Sequence, residues 1–168
     1  MSACAGRRRL LAGAAALLAT WLLAGCASLS QERPPGRQWN GRLAMQVRGE
    51  PPQSFSAAFS LAGSPDQGEL TLFTPIGSTA AVLSWSPGAA LLRAQGQPPQ
   101  KAASVDVLVE RATGAPFPVA ALFDWLDGRA TAVAGWRADI SQLPQGRLTA
   151  SRLGPPPTIE LRVVLEQP

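Results

Sequence analysis

The 168-residue chain has no histidine and no tyrosine, only two cysteines, and a single lysine, Lys101. Lack of histidine removes the usual general base at neutral pH and the commonest metal ligand, so neither a Ser-His nor a Cys-His nucleophile pair can be assembled. Among the remaining residue types there is no Gly-x-Ser-x-Gly, no Ser-x-x-Lys and no Asp-rich metal loop. Charged residues make up only 15% of the chain. These absences argue against an enzyme and against a metal site, and leave a hydrolase using Ser or Asp as a remote third reading.

A basic cluster and an apolar run stand at the start. Arg7-Arg8-Arg9 precedes an apolar run from Leu10 to Gly25 that closes on Leu23-Ala24-Gly25-Cys26. A basic region, a short apolar region and small residues before a cut are the three parts of an export signal, and a cysteine at the cut reads as the lipid acceptor of a bacterial lipoprotein. The run is short for a membrane span, which needs ~20 apolar residues, so an uncleaved anchor helix is the lesser alternative. Either the general secretory or the twin-arginine export route fits the arginines. The expected organisation is a signal peptide over residues 1–25, a lipidated N-terminus and flexible tether over 26–38 containing Pro34-Pro35-Gly36, and a folded domain over 39–168. Removal of the signal leaves Cys26 as the sole cysteine, which excludes an internal disulfide. It also leaves twelve basic against eleven acidic residues, a net charge of +1. That is no electrostatic footprint for nucleic acid, and none is expected as a partner.

From Trp39 onward apolar residues alternate: Leu43, Met45 and Val47; Phe55, Ala57, Phe59 and Leu61; Leu70 and Leu72; Ala81, Leu83 and Trp85. Turn signals separate them at Glu50-Pro51-Pro52, Gly63-Ser64-Pro65-Asp66 and Ser86-Pro87-Gly88. This pattern predicts an antiparallel meander burying one face. The period then changes. Ser104 is placed to cap a helix carrying Val105, Leu108, Val109 and Ala112 on one stripe, with Gly114 to end it. A second helix opens at Pro118, carries Val119, Leu122, Phe123 and Leu126, and stops at Gly128. Strands resume with Trp136, Ala138 and Ile140, then Leu148 and Ala150, and finally Ile159, Leu161, Val163 and Leu165, with Pro155-Pro156-Pro157 as a connection.

Trp39-Asn40-Gly41-Arg42-Leu43, the stretch Leu70-Thr71-Leu72-Phe73-Thr74-Pro75-Ile76-Gly77-Ser78-Thr79, and Pro118 through Trp125-Leu126 to Gly128 resemble the LolB family of outer-membrane lipoprotein receptors. Gly135-Trp136, Gly146-Arg147-Leu148 and the closing strand fit the same order. The resemblance implies a mainly β, α+β fold: an open, curved, antiparallel, unclosed β-barrel with helices covering an apolar cavity. It implies a task without catalysis, in which the protein accepts lipoproteins from a LolA-type periplasmic carrier and inserts them into the inner leaflet of the outer membrane. Its partners would be that carrier, the acyl chains of lipoproteins and the outer membrane, with the domain a monomer facing the periplasm. No cofactor is implied beyond the covalent lipid on Cys26. Ala27, at the second position of the lipidated chain, is not Asp, which by family sorting rules favours the outer membrane. The chain departs from the family at residues 129–134, where more strand and turn is usual, so a late hairpin is expected to be short or missing.

Three acyl chains carry some forty methylenes, and leaving each in water costs ~0.8 kcal/mol, so exposure would cost on the order of 30 kcal/mol. A receptor therefore needs apolar inner faces that do not fill themselves. Candidate lipid-cavity residues are Phe55, Phe59, Leu70, Leu72, Leu83, Trp85, Leu122, Trp125, Leu161 and Val163; by alternation alone these equally describe a packed core. Trp125 at a helix end reads as packing or as a lid. Pro75-Ile76-Gly77 is the candidate membrane-insertion loop that the resemblance implies, and the turn chemistry leaves Ile76 free to point outward or inward. Arg42 reads as a solvated strand charge or a rim contact to an acidic partner. The competing reading is a structural or assembly-factor envelope lipoprotein with a similar half-barrel and no lipid transfer.

Overall fold

The alternating segments assemble into one antiparallel sheet in the computed structural model, which describes residues 36–114 and 116–166. In chain order the strands are β1 Arg37–Arg48, β2 Gln53–Gly63, β3 Gly68–Phe73, β4 Thr79–Ser86, β5 Ala89–Ala94 and β6 Gln100–Ala102, followed by β7 Trp136–Asp139, β8 Arg147–Arg152 and β9 Thr158–Leu165. They pair in the order β6-β5-β4-β3-β2-β1-β9-β8-β7. The two end strands do not pair with each other, so the sheet is an open barrel wall. β1 takes in Arg37 and Gln38, which the sequence reading assigns to the tether, because their partners Gly63 and Ala62 extend β2 that far. β5 and β6 had no sequence assignment. Ala-Ala-Leu-Leu lacks the β-branched and aromatic residues that mark a strand, and β5 forms because β4 supplies the ladder.

Register puts Leu43, Met45 and Val47 of β1 on the same face as Val163, Leu161 and Ile159 of β9. The same face continues through Leu61, Leu70, Leu83 and Leu92 across β2 to β5. Gly41 sits where β1 crosses closest to β9, and a side chain there would collide with the Val164 carbonyl oxygen, which accounts for glycine in the Asn-Gly-Arg stretch. Gly68 has a similar role, leaving room for the Trp85 ring to lie across β3.

Two helices cover this face. In α1, Val105–Thr113, Ser104 Oγ accepts from the Val107 N–H and Gly114, at φ 70°, donates its N–H to the Glu110 carbonyl. α2, Val119–Leu126, has Pro118 at its cap position and no capping side chain of its own. Asp106 of α1 supplies the missing acceptor, with Oδ1 3.1 Å from the Val119 nitrogen, so one helix caps the next. After α2 the chain turns back on itself. Arg129 and Thr131 bond the Asp124 carboxylate, Arg129 also pairs with Asp127, and Arg37 of β1 reaches Asp127 at 2.6 Å. No strand forms between residues 129 and 135, and the late hairpin expected to be short or missing is present as β7 and β8, with β7 four residues long.

Candidate functional site: an apolar cavity under two helices

Aromatic side chains pack in two groups between sheet and helices. Phe123 of α2 packs edge-on against Trp39 at 5.6 Å and Trp85 at 6.0 Å, closing the end where β1 begins. Phe117, just ahead of α2, packs edge-on against Trp136 at 5.2 Å. Between sheet and helices lies a cavity of about 560 Å³, within the ~300–1,000 Å³ typical of ligand sites.

Nine of the ten cavity candidates line it. Phe59, Leu70, Leu72, Leu83, Trp85, Leu161 and Val163 line it from the sheet, Leu122 lines it from α2, and Phe55, 46% exposed, stands at its entrance. The tenth does not. Trp125 is 1% exposed, lies outside the lining, donates Nε1–H to the Thr131 carbonyl at 2.9 Å and packs against Trp136. It points away from the cavity because successive α2 residues project about 100° apart, and Leu122 and Leu126 take the cavity-facing stripe. Sequence reasoning missed Leu43, Met45 and Val47 as lining, along with Leu92 of β5, Leu108 and Val109 of α1, and Phe117. For β1 and α1 the signal was present in the period; for β5 there was no strand assignment to carry it.

The lining is apolar except at its mouth, where Gln53, Ser54, Gln97, Gln100, Arg111 and Thr113 gather. Arg111 Nη1 donates to the Lys101 carbonyl. The one polar atom that a deep indole would bring is taken up elsewhere, since Trp85 Nε1–H donates to the Ser64 and Pro65 carbonyls and offers only its ring. Carboxyls with displaced titration lie outside the lining. The Arg129 guanidinium beside Asp124, with help from Thr131, holds that carboxyl below its ordinary value, and Ser141 does the same for Asp139. Among the described residues no cluster of carboxylate or thiol groups is placed to hold a metal. Such a cavity can hold hydrocarbon.

Ile76 resolves outward, at 90% exposure. The Gly77 N–H donates to the Thr74 carbonyl and the Thr74 N–H to that of Ser78, while Thr74 Oγ1 and Ser78 Oγ lie 2.7 Å apart. Gly77 has φ 83° and no non-glycine residue among those described has positive φ, so Pro75-Ile76 form the centre of a type I turn and Gly77 takes the left-handed position. That geometry leaves the Ile76 side chain with nothing to pack on. Arg42 is exposed and, among the described residues, makes no ion pair, matching the solvated reading. Cys26 lies outside the described residues.

A family model described as "Outer membrane lipoprotein LolB" matches residues 37–154. The chain belongs to the LolB family. Proteins named outer-membrane lipoprotein LolB are 37% identical in Cupriavidus taiwanensis and 36% in Cupriavidus necator, each over 76% of this chain and over 66% and 68% of those proteins. One from Bordetella petrii is 32% identical over 88% of both chains. The chain thus spans about two thirds of the length of its Cupriavidus relatives. The LolB match stops at residue 154, short of β9, yet β9 joins β1 to β8 and supplies Leu161 and Val163 to the cavity.

Proposed function

We propose that this LolB-family chain is an outer-membrane lipoprotein, anchored through an acylated Cys26, that receives lipoproteins from a soluble LolA-type carrier in the periplasm and sets them into the inner leaflet of the outer membrane. The observation that carries this reading is the cavity of about 560 Å³ lined by hydrocarbon side chains from six strands and both helices, with polar groups confined to its mouth. Apolar ligands bind there by burial alone, at ~0.8 kcal/mol per methylene. Uptake and release are then differences in affinity between carrier, receptor and bilayer, and no covalent step is required. Delivery falls to the Pro75-Ile76-Gly77 turn, whose exposed isoleucine gains by entering a membrane and gains nothing in water.

The test is reconstitution. Carrier loaded with a triacylated lipoprotein is mixed with the full chain in proteoliposomes, and cargo is followed from the soluble fraction to the floating one. Transfer that depends on this protein supports the reading. Cargo remaining on the carrier, with no acyl ligand bound by the protein, would replace it with the scaffold reading.

A further inference from the structure

The wall of the open barrel is incomplete beside the cavity mouth. β2 pairs with β1 from Gln53 to Gly63, but its pairing with β3 begins only at Ala58, opposite Phe73. The stretch Gln53-Ser54-Phe55-Ser56-Ala57 is therefore held on one side by β1 and open on the other, and four of its five residues are exposed. Proteins usually blunt such edges with charge, proline, short length or a cover. The sheet's two outer edges are blunted. β6 is three residues long, with α1 packed over it and the Lys101 carbonyl taken by Arg111, and β7 is four residues with exposed Arg137 and Asp139. The Gln53–Ala57 edge carries no charge and no proline, and its residues Gln53, Ser54 and Phe55 line the cavity.

We infer that this edge is a docking strand for the polypeptide segment that follows the acylated cysteine of a bound lipoprotein. The inference rests on the acyl-binding reading of the cavity. A lipoprotein held by its acyl chains must lead its backbone out through the mouth, because unpaired N–H and C=O groups cannot stay among hydrocarbon side chains without large cost. The first residues outside then pass Gln53, Ser54 and Phe55. An extended segment aligned there gains main-chain hydrogen bonds from the open side of β2, the mode by which peptides add a strand to a sheet. Because backbone groups do the pairing, recognition is independent of cargo sequence, as suits cargoes that share only a lipidated cysteine. The chain's own tether is a poor occupant. Residues 27–35 extend at most ~30 Å, and β1 begins at the end of the sheet away from the mouth. Rising from Arg37 to the level of Ala57 uses ~20 Å of that reach at ~3.3 Å per residue, too much to leave five residues along the edge.

The full chain in nanodiscs is titrated with three probes: a triacylated cysteinyl hexapeptide of small polar residues, the same lipopeptide N-methylated at alternate backbone amides, and palmitate. Amide hydrogen exchange of β2 is recorded with each. The unmodified lipopeptide should bind about tenfold more tightly than its N-methylated twin, the loss expected for a few main-chain hydrogen bonds. It alone should slow exchange at residues 53–57. Equal affinity for the two lipopeptides without protection there, while palmitate still binds, overturns the docking strand and leaves the cavity reading standing. Failure of all three probes to bind overturns both. Protection at 53–57 before any probe is added, unchanged afterwards, assigns the edge to the chain's own residues and also overturns the inference.

Discussion

Ile76 and Trp125 show how the same residue class separates by position. Both are large and apolar, and the sequence left both open; the turn geometry exposes one, and a helical rotation buries the other away from ligand. Replacing Ile76 with Asp should leave cargo uptake intact and block its passage into vesicles, since a carboxylate resists entering hydrocarbon. Flotation of preloaded wild type and variant, with loading measured on the same samples, checks this. Equal flotation would remove Ile76 from delivery, and failure to load would place it in uptake. Trp125→Ala should behave in the opposite sense. It empties a buried site and breaks the bond to Thr131, costing about 3–5 kcal/mol of unfolding free energy, while the folded fraction binds an acyl probe as wild type does. Weakened probe binding at full occupancy of the folded state would put Trp125 back into the cavity wall.

At the level of elements, the end of α2 is held by charge. The Asp124 carboxyl is kept below its ordinary value first by its bond to Arg129 and then by Thr131. A carboxyl whose pKa is lower folded than unfolded favours the fold where it is ionised. Its contribution is complete above the unfolded value of about 3.9 and is lost as pH falls through the folded one. Urea unfolding between pH 2 and 5 should therefore show wild-type stability declining as acid is added, and a shallower decline in Arg129→Ala, where Asp124 titrates nearer its ordinary value. Identical slopes would mean that the pair does not hold the helix end. α1 was legible because its caps are local, Ser104 and Gly114 closing it as written, and α2 because its apolar stripe has helical spacing. The acceptor for α2 was not legible, because Asp106 lies thirteen residues away and meets Val119 only once α1 and α2 turn against each other.

For the whole molecule, the proposed anchor at Cys26 stands apart from β1 in the sequence, with Pro34-Pro35-Gly36 between them. Protein made without residues 1–25 and carrying Cys26→Ala should fold as a soluble monomer, as judged by size-exclusion chromatography and circular dichroism. An aggregated or unfolded product would show that the lipid or the tether belongs to the fold.

What the sequence determined by itself was local and periodic: strand faces, helix stripes, the caps of α1 and the turns between elements. Alternation of period two says which side chains share a face, and that holds whatever the face meets. Whether the face meets a partner is a property of distance between elements, and only the tertiary structure decided it. Phe123 wedges between Trp39 and Trp85 where β1 begins, and Trp136, paired with Phe117, packs on Val47 and Ile159 toward the other end of the face, yet Leu72 and Leu122 still border a cavity. Pairing of β1 with β9, β3 stopping at Phe73 and the resulting open edge of β2 likewise depend on residues far apart in the chain, which no local pattern records.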